Sequence, residues 1–137
     1  MTDAAAPPER VKIAVVGAHL AGMPLHWQLS SRNAEFVGAT ATAPVYKLYA
    51  MAGATPPKPA LIHVREGGAA IQLEVYSLDL AAFGAFVTEV PAPLAIGTVT
   101  LEDGSEVKGF VAEPRAIVGA EDITALGGWR AYIASRA

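Results

Sequence analysis

The chain has 137 residues, 53% of them hydrophobic and 17% charged, a length and balance that fit one cored domain and exclude intrinsic disorder. Ten Lys and Arg against thirteen Asp and Glu leave a formal net charge of −3 with no basic cluster, which argues against a nucleic-acid surface. The lack of cysteine excludes disulfide scaffolds, thiol nucleophiles and cysteine-based zinc sites.

Residues 1–10 are polar, with Asp3 and the pair Pro7-Pro8, and have neither the basic start nor the apolar run of a signal peptide. They are expected to form a disordered tail before a single domain over residues 11–137, in a cytoplasmic protein. Every apolar run is broken by Gly, Pro or a charge well short of the roughly 20 residues a membrane helix needs, so no membrane role is expected. So little charge is available to cover the surface that a homo-oligomer is expected.

Residues 11–16 are β-branched and nearly all apolar, which predicts a buried strand ending at Gly17. Pro24 is placed to open a short helix that carries Leu25 and Leu29 on one side and stops near Asn33. Strands follow over residues 35–39 and 45–50, then a proline-rich loop over 53–59, a short strand over 61–64 and a turn at Gly67-Gly68. Residues 70–77 alternate apolar and polar, which predicts a half-buried strand. Asp79 reads as the N-cap of a helix whose apolar side is Leu80, Phe83, Val87 and Val90, ended by Pro91 and Pro93. Residues 98–101 and 107–112 flank Asp103-Gly104, a hairpin signal, and residues 127–134 read as a final short helix or strand. The order β-α-β-β-β-β-α-β-β lacks regular alternation, so an α+β domain on a mixed sheet or small barrel is expected.

Gly17-Ala-His-Leu-Ala-Gly22 follows a strand, as phosphate-binding loops do, but it fits neither nucleotide pattern. The second glycine of a dinucleotide fingerprint is replaced by His19, and Met23-Pro24 stand where a P-loop needs Lys and Ser or Thr. His19, His26 and His63 lack a metal-binding spacing, and no serine sits in a Gly-x-Ser-x-Gly turn. No metal and no organic cofactor is expected.

The segments Val15-Val-Gly-Ala-His-Leu-Ala-Gly-Met23, Ala43-Pro-Val-Tyr-Lys-Leu-Tyr49, Gly68-Ala-Ala-Ile-Gln-Leu-Glu-Val-Tyr76, Pro91-Ala-Pro-Leu-Ala-Ile-Gly97 and Gly127-Gly-Trp-Arg-Ala-Tyr132 carry a family resemblance. In these stretches, in order from about Lys12 to Ala134, the chain resembles the C-terminal domain of allophanate hydrolase. That resemblance implies a gamma-glutamylcyclotransferase-like fold, a small mixed β-barrel with flanking helices. In cyclotransferases the loop after the first strand is Tyr-Gly-Ser and donates backbone N–H groups to substrate, and a glutamate after a helix is the acid or base. Here the loop is Gly17-Ala18-His19, without the Tyr and Ser, and Glu89 falls at the glutamate's place.

His19, between glycines, and Glu89 are therefore the candidate catalytic residues. Glu89 falls near a helix C-terminus, where the macrodipole disfavours negative charge by ~0.3–1 kcal/mol, a placement that suits a general acid or base. Gly17, Ala18, Leu20, Tyr46, Glu74 and Arg115 are the candidate substrate-binding residues. Glu74 is also an alternative acid or base, and Arg115 or Arg130 a bidentate partner for a carboxylate. His26 and His63 read as structural and surface residues.

The resemblance implies a small-molecule enzyme of urea or amide nitrogen metabolism, a decarboxylase or hydrolase acting on a small carboxylated amide, or a cyclotransferase-like lyase. The alternative is a non-catalytic accessory or oligomerisation module that partners an amidase.

Overall fold

The computed structural model describes residues 9–137. The tail expected over residues 1–10 lies outside the described residues up to residue 8, and Arg10 already belongs to the first strand. That strand, β1 (Arg10–Val15), is the middle of a five-stranded sheet, so both of its edges are hydrogen-bonded, and its second half, Ile13–Val15, is buried. Its antiparallel neighbour β5 (Gln72–Asp79) runs in register from Arg10 opposite Asp79 to Val15 opposite Glu74. On the other side lies β7 (Glu106–Ala112), paired parallel through Ile13 and Ala14. β2 (Glu35–Ala41) borders β5 at one edge, and β6 (Leu94–Thr100) borders β7 at the other. The hairpin between β6 and β7 turns at Asp103-Gly104, where Gly104 has φ of +87°.

The sheet curls until its two outer strands meet. Ala43 N–H donates to the Thr100 carbonyl at 2.9 Å and Glu102 N–H to the Ala41 carbonyl at 3.0 Å, around the single bridge between Thr42 and Leu101. One bridge is not a ladder, so the barrel expected from the sequence is corrected to an open, strongly curled mixed sheet. A second sheet packs with it, made of β3 (Tyr46–Ala50) between β4 (Pro59–His63) and the two-residue β8 (Glu121–Asp122). Leu48 and Leu61 from this sheet join Ile13, Val15, Leu73 and Val99 of the large one in a common core.

The helices are few and short, in keeping with the expected α+β class. Residues 20–28 wind with i to i+3 bonds, such as His26 N–H to the Met23 carbonyl, before regular helix begins. The helix expected from Pro24 is therefore the single turn α1 (Trp27–Ser30), with Leu29 buried. α2 (Leu80–Thr88) starts where expected, its Asp79 carboxylate accepting from Ala82 N–H at 2.8 Å. Its buried face overlaps the expected one: Phe83 and Val90 pack on the core as expected, but Leu80 is exposed, and Phe86, outside the expected side, is the residue driven fully into the core, with Ala82 beside it. α3 (Trp129–Ser135) closes the chain on the second sheet's side and buries Trp129 and Tyr132. No helix among the described residues is long and apolar enough to cross a membrane.

Candidate functional site

Central β1 ends against the start of β4, and this fixes the loop that follows it. A Cβ on Gly17 would sit 2.2 Å from Cδ of Pro59, so only glycine lets the two segments touch. The chain then turns, with Leu20 N–H to the Gly17 carbonyl at 3.0 Å and Leu25 N–H to the Ala18 carbonyl at 2.8 Å. The N–H groups of Ala18 and His19, both in a buried loop, donate to no described residue.

His19 is 6% exposed, stacked on Phe110 with ring centroids 4.9 Å apart and meeting the Phe86 ring edge-on at 5.1 Å. Its Nε2 lies 2.7 Å from Oε1 of Gln28. With that oxygen as acceptor, Nε2 carries the ring proton and Nδ1 is left as an acceptor. Burial lowers the imidazole's pKa from 6.5, opposed by the Gln28 bond, so the ring is held neutral at pH 7. Gly17, Ala18, His19, Lys58 and Phe110 line a small hollow of about 20 Å³, room for a group the size of one or two waters.

Glu89 is the C-cap of α2, as the sequence placed it, but it is not on the wall of that hollow. Its Oε1 pairs with Nη2 of Arg32 at 2.9 Å, which offsets the unfavourable helix-end position. Nη1 of Arg32 donates to the Gln28 carbonyl at 2.7 Å, so Glu89 reaches His19 through two intermediaries.

Glu74 occupies a different place. Alternation along β5 buries Leu73 and Val75 on one side, and Glu74 faces the 17–22 loop. Its Oε1 accepts from Ala21 N–H at 2.9 Å and from the Tyr76 hydroxyl at 2.9 Å, and its Oε2 from Nη2 of Arg130 at 2.6 Å. The same Nη2 donates to the Ala21 carbonyl at 2.8 Å, so the ion pair grips the loop by both sides of one peptide unit's residue. Burial pushes the Glu74 carboxyl up, but the Ala21 N–H, Arg130 and Tyr76 together bring it below its ordinary value. Burial and the Glu74 bond push the Tyr76 hydroxyl up to about 12. Beside this cluster opens a cleft of about 400 Å³, with Leu20, Leu73 and Trp129 as its apolar part.

The remaining sequence candidates lie elsewhere. Tyr46 is buried between the two sheets, where its hydroxyl accepts from Thr100 N–H at 3.0 Å, and it lines neither cavity. Arg115 is exposed and paired with Glu113 at 3.0 Å. Gly17 and Ala18 line the hollow with His19, whereas Leu20 points to the larger cleft. His26 is structural, its Nδ1 donating to the His19 carbonyl at 2.9 Å, and His63 is exposed. Sequence reasoning missed Lys58, Gln28 and Phe110. Lys58-Pro59 and the segment from Gly104 to Phe110 belong to the stretches that carry the family resemblance, but that these side chains and Gln28 meet at His19 is decided by packing. Among the described residues no three His, Asp or Glu side chains gather as a metal site.

Residues 11–134 match the model of the allophanate hydrolase C-terminal domain. The chain belongs to that family. It is 49% identical over 131 residues to a urea amidolyase of Lachancea kluyveri, covering 93% of this chain and 7% of the relative. The chain thus spans about 7% of the length of the curated relatives it matches. Among solved structures, the allophanate hydrolase of Kluyveromyces lactis superposes with a TM-score of 0.91 at 47% identity, over 94% of this chain and 22% of that one. A uropathogenic E. coli-specific protein superposes with a TM-score of 0.85 at 36% identity, and here the match covers 92% of this chain and 97% of that one. The domain therefore occurs both inside long chains and as nearly the whole of a short one. A gamma-glutamyl cyclotransferase superposes at a TM-score of 0.56 and 11% identity, over 83% of this chain and 70% of that one. That likeness establishes the gamma-glutamylcyclotransferase-like fold expected for this family member.

Proposed function

We propose that this allophanate hydrolase C-terminal domain decarboxylates a small N-carboxylated amide in urea nitrogen metabolism, with the hollow at His19 as the reacting site. The observation that carries this reading is the buried pair of N–H groups on Ala18 and His19, which have no described acceptor and lie beside Lys58. Buried backbone donors demand a partner, and an anionic oxygen next to an ammonium is the partner they fit best. The hollow has room for a carboxylate and little more, so the rest of the substrate extends outward from it.

Loss of CO2 from an N-carboxy compound requires the nitrogen to gain a proton as the N–C bond breaks. In this reading the N-carboxy group arrives as the acid, Nδ1 of neutral His19 takes its proton, which leaves the carboxylate on Lys58 and the loop N–H groups, and then returns the proton to the nitrogen. The N–C electron pair stays with the nitrogen, CO2 leaves and the amide is released, with the atoms balanced and no cofactor required. Gln28 holds the ring by Nε2 and leaves Nδ1 free as the acceptor, Lys58 and the loop N–H groups hold the carboxylate, and Glu89 acts as a positioning residue through Arg32. Gly17 and Ala18 bind through backbone. The names of the relatives, urea amidolyase and allophanate hydrolase, support a substrate drawn from that chemistry.

The test is CO2 release from N-carboxylated product generated in the same vessel by a separate allophanate-cleaving amidase. The wild-type chain should speed release over the amidase alone, and His19→Asn should lower the increment by about 100-fold or more. No increment from a folded wild-type chain sinks the reading. A second reading, an accessory module that partners an amidase, is favoured by the small share of the relatives that the chain covers. In that case binding to the amidase, unaffected by His19→Asn, would be measured without any increment in CO2.

A further inference from the structure

The loop that holds the proposed anion site has every carbonyl from Gly17 to Ala21 engaged, which leaves it presenting the N–H groups of Ala18 and His19. The first four carbonyls are satisfied within seven positions: those of Gly17, Ala18 and Leu20 accept from the N–H groups of Leu20, Leu25 and Met23, and that of His19 from Nδ1 of His26. Ala21 is held from far along the chain. Its carbonyl accepts from Nη2 of Arg130 on α3 at 2.8 Å, 109 positions away, and its N–H donates to Oε1 of Glu74 on β5 at 2.9 Å, 53 positions away. Glu74 and Arg130 then meet at 2.6 Å, so both hydrogens of Nη2 are spent, one on the loop and one on the carboxylate. The Tyr76 hydroxyl donates to the same Oε1 at 2.9 Å and holds the carboxylate that holds the loop. The Glu74 side chain is only 12% exposed, so none of these contacts is easily replaced by water. A pair of backbone donors binds an anion only while both keep their direction, because a hydrogen bond weakens steeply as its angle closes. His19 and Ala18 stand two and three positions before Ala21, so a turn of the Ala21 peptide is passed directly to them.

We propose that Glu74 and Arg130 are positioning residues for the anion site at His19: the pair binds no ligand itself and sets the direction in which the Ala18 and His19 N–H groups point. α3 thereby becomes part of a site whose donors lie on the loop after β1. The inference rests on the anion role given above to those N–H groups, and not on what happens to the anion once bound.

Formate, a carboxylate with no other group, is the probe for the 15N-labelled full chain, titrated at constant ionic strength. In the wild type the amide resonances of Ala18 and His19 should shift saturably, with Kd on the order of 10 mM. Glu74→Gln turns an amide donor toward either the Ala21 N–H or Arg130, and should weaken formate about fivefold and shrink both shifts at saturation. Arg130→Met should do the same. Arg130→Lys keeps a cationic nitrogen with hydrogens enough for both Glu74 and the Ala21 carbonyl, and should recover binding to within about twofold of the wild type. Tyr46→Phe lowers stability away from the loop and should bind formate as the wild type does, which separates positioning from a general loss of stability. Formate binding without any gain in CO2 release would end the decarboxylation reading and leave this one standing. Wild-type affinity in a folded Glu74→Gln or Arg130→Met chain, or no shift at Ala18 and His19 up to about 200 mM formate, overturns the proposal.

Discussion

Glu89 and His19 are joined without touching: Glu89 pairs with Arg32 at 2.9 Å, Arg32 donates to the Gln28 carbonyl at 2.7 Å, and the Gln28 side chain meets His19 Nε2 at 2.7 Å. The two residues, 70 positions apart in sequence, are thus linked through Arg32 and Gln28. Glu89 also raises the His19 pKa by its charge alone, against the larger effect of burial.

Replacing Glu89 by Gln should therefore lower the His19 pKa further, read from the ring resonances in an NMR titration. Activity should fall by about tenfold, less than for His19→Asn, because the change is transmitted through two residues. A Glu89→Gln chain as inactive as His19→Asn, with an unmoved His19 titration, would make Glu89 a group that meets substrate itself.

The lowered His19 pKa sets the direction of the pH profile. The neutral ring with a free Nδ1 is the working form, so kcat/KM should be flat near pH 7 and fall on the acid side with a midpoint below 6.5. Activity that rises as pH drops below 6.5 would identify the imidazolium as the working form instead.

Glu74 predicts a stability effect. Its carboxyl titrates below its ordinary value of 4.5 in the folded chain. The contribution of the clamp on Ala21 is thus complete above pH 4.5 and is lost as pH falls through the lowered value. Glu74→Gln should cost about 1 kcal/mol at pH 7, kept small because Arg130 is 45% exposed and solvent screens the pair. The difference from wild type should shrink below pH 4.5 in urea denaturation; a constant difference across that range would exclude the charge as its source.

Tyr46→Phe distinguishes a core residue from a ligand-binding one. Its hydroxyl ties the two sheets by accepting from Thr100 N–H, so its loss should cost about 1–3 kcal/mol in denaturant melts and leave Michaelis parameters unchanged at a temperature where the variant is folded. A raised KM with unchanged stability would return Tyr46 to the substrate site.

Though β6 starts at Leu94 rather than residue 98, the two-residue β8 carried no signal, and the final segment was open between helix and strand, the sequence by itself determined most of the elements and their order. Local rules suffice for these: the apolar run of β1, the alternation of β5, the Asp79 cap of α2 and the Asp103-Gly104 turn are each read within a few residues. It also placed His19 in a glycine-flanked loop and Glu89 at a helix end, since both positions depend on neighbours in the chain. Tertiary structure alone decided what these residues face. Phe86, rather than Leu80, became the buried residue of α2 because the core selected the face of Ala82, Phe83, Phe86 and Val90, which keeps the helix period but is rotated from the one expected. Tyr46 was drawn between the sheets by the Thr100 N–H, 54 positions away. The Glu74–Arg130 clamp spans 56 positions and the packing of Gly17 on Pro59 spans two strands, contacts formed by curling the sheet. No local pattern encodes such meetings, because a hydrogen bond between distant residues leaves no periodicity in either segment.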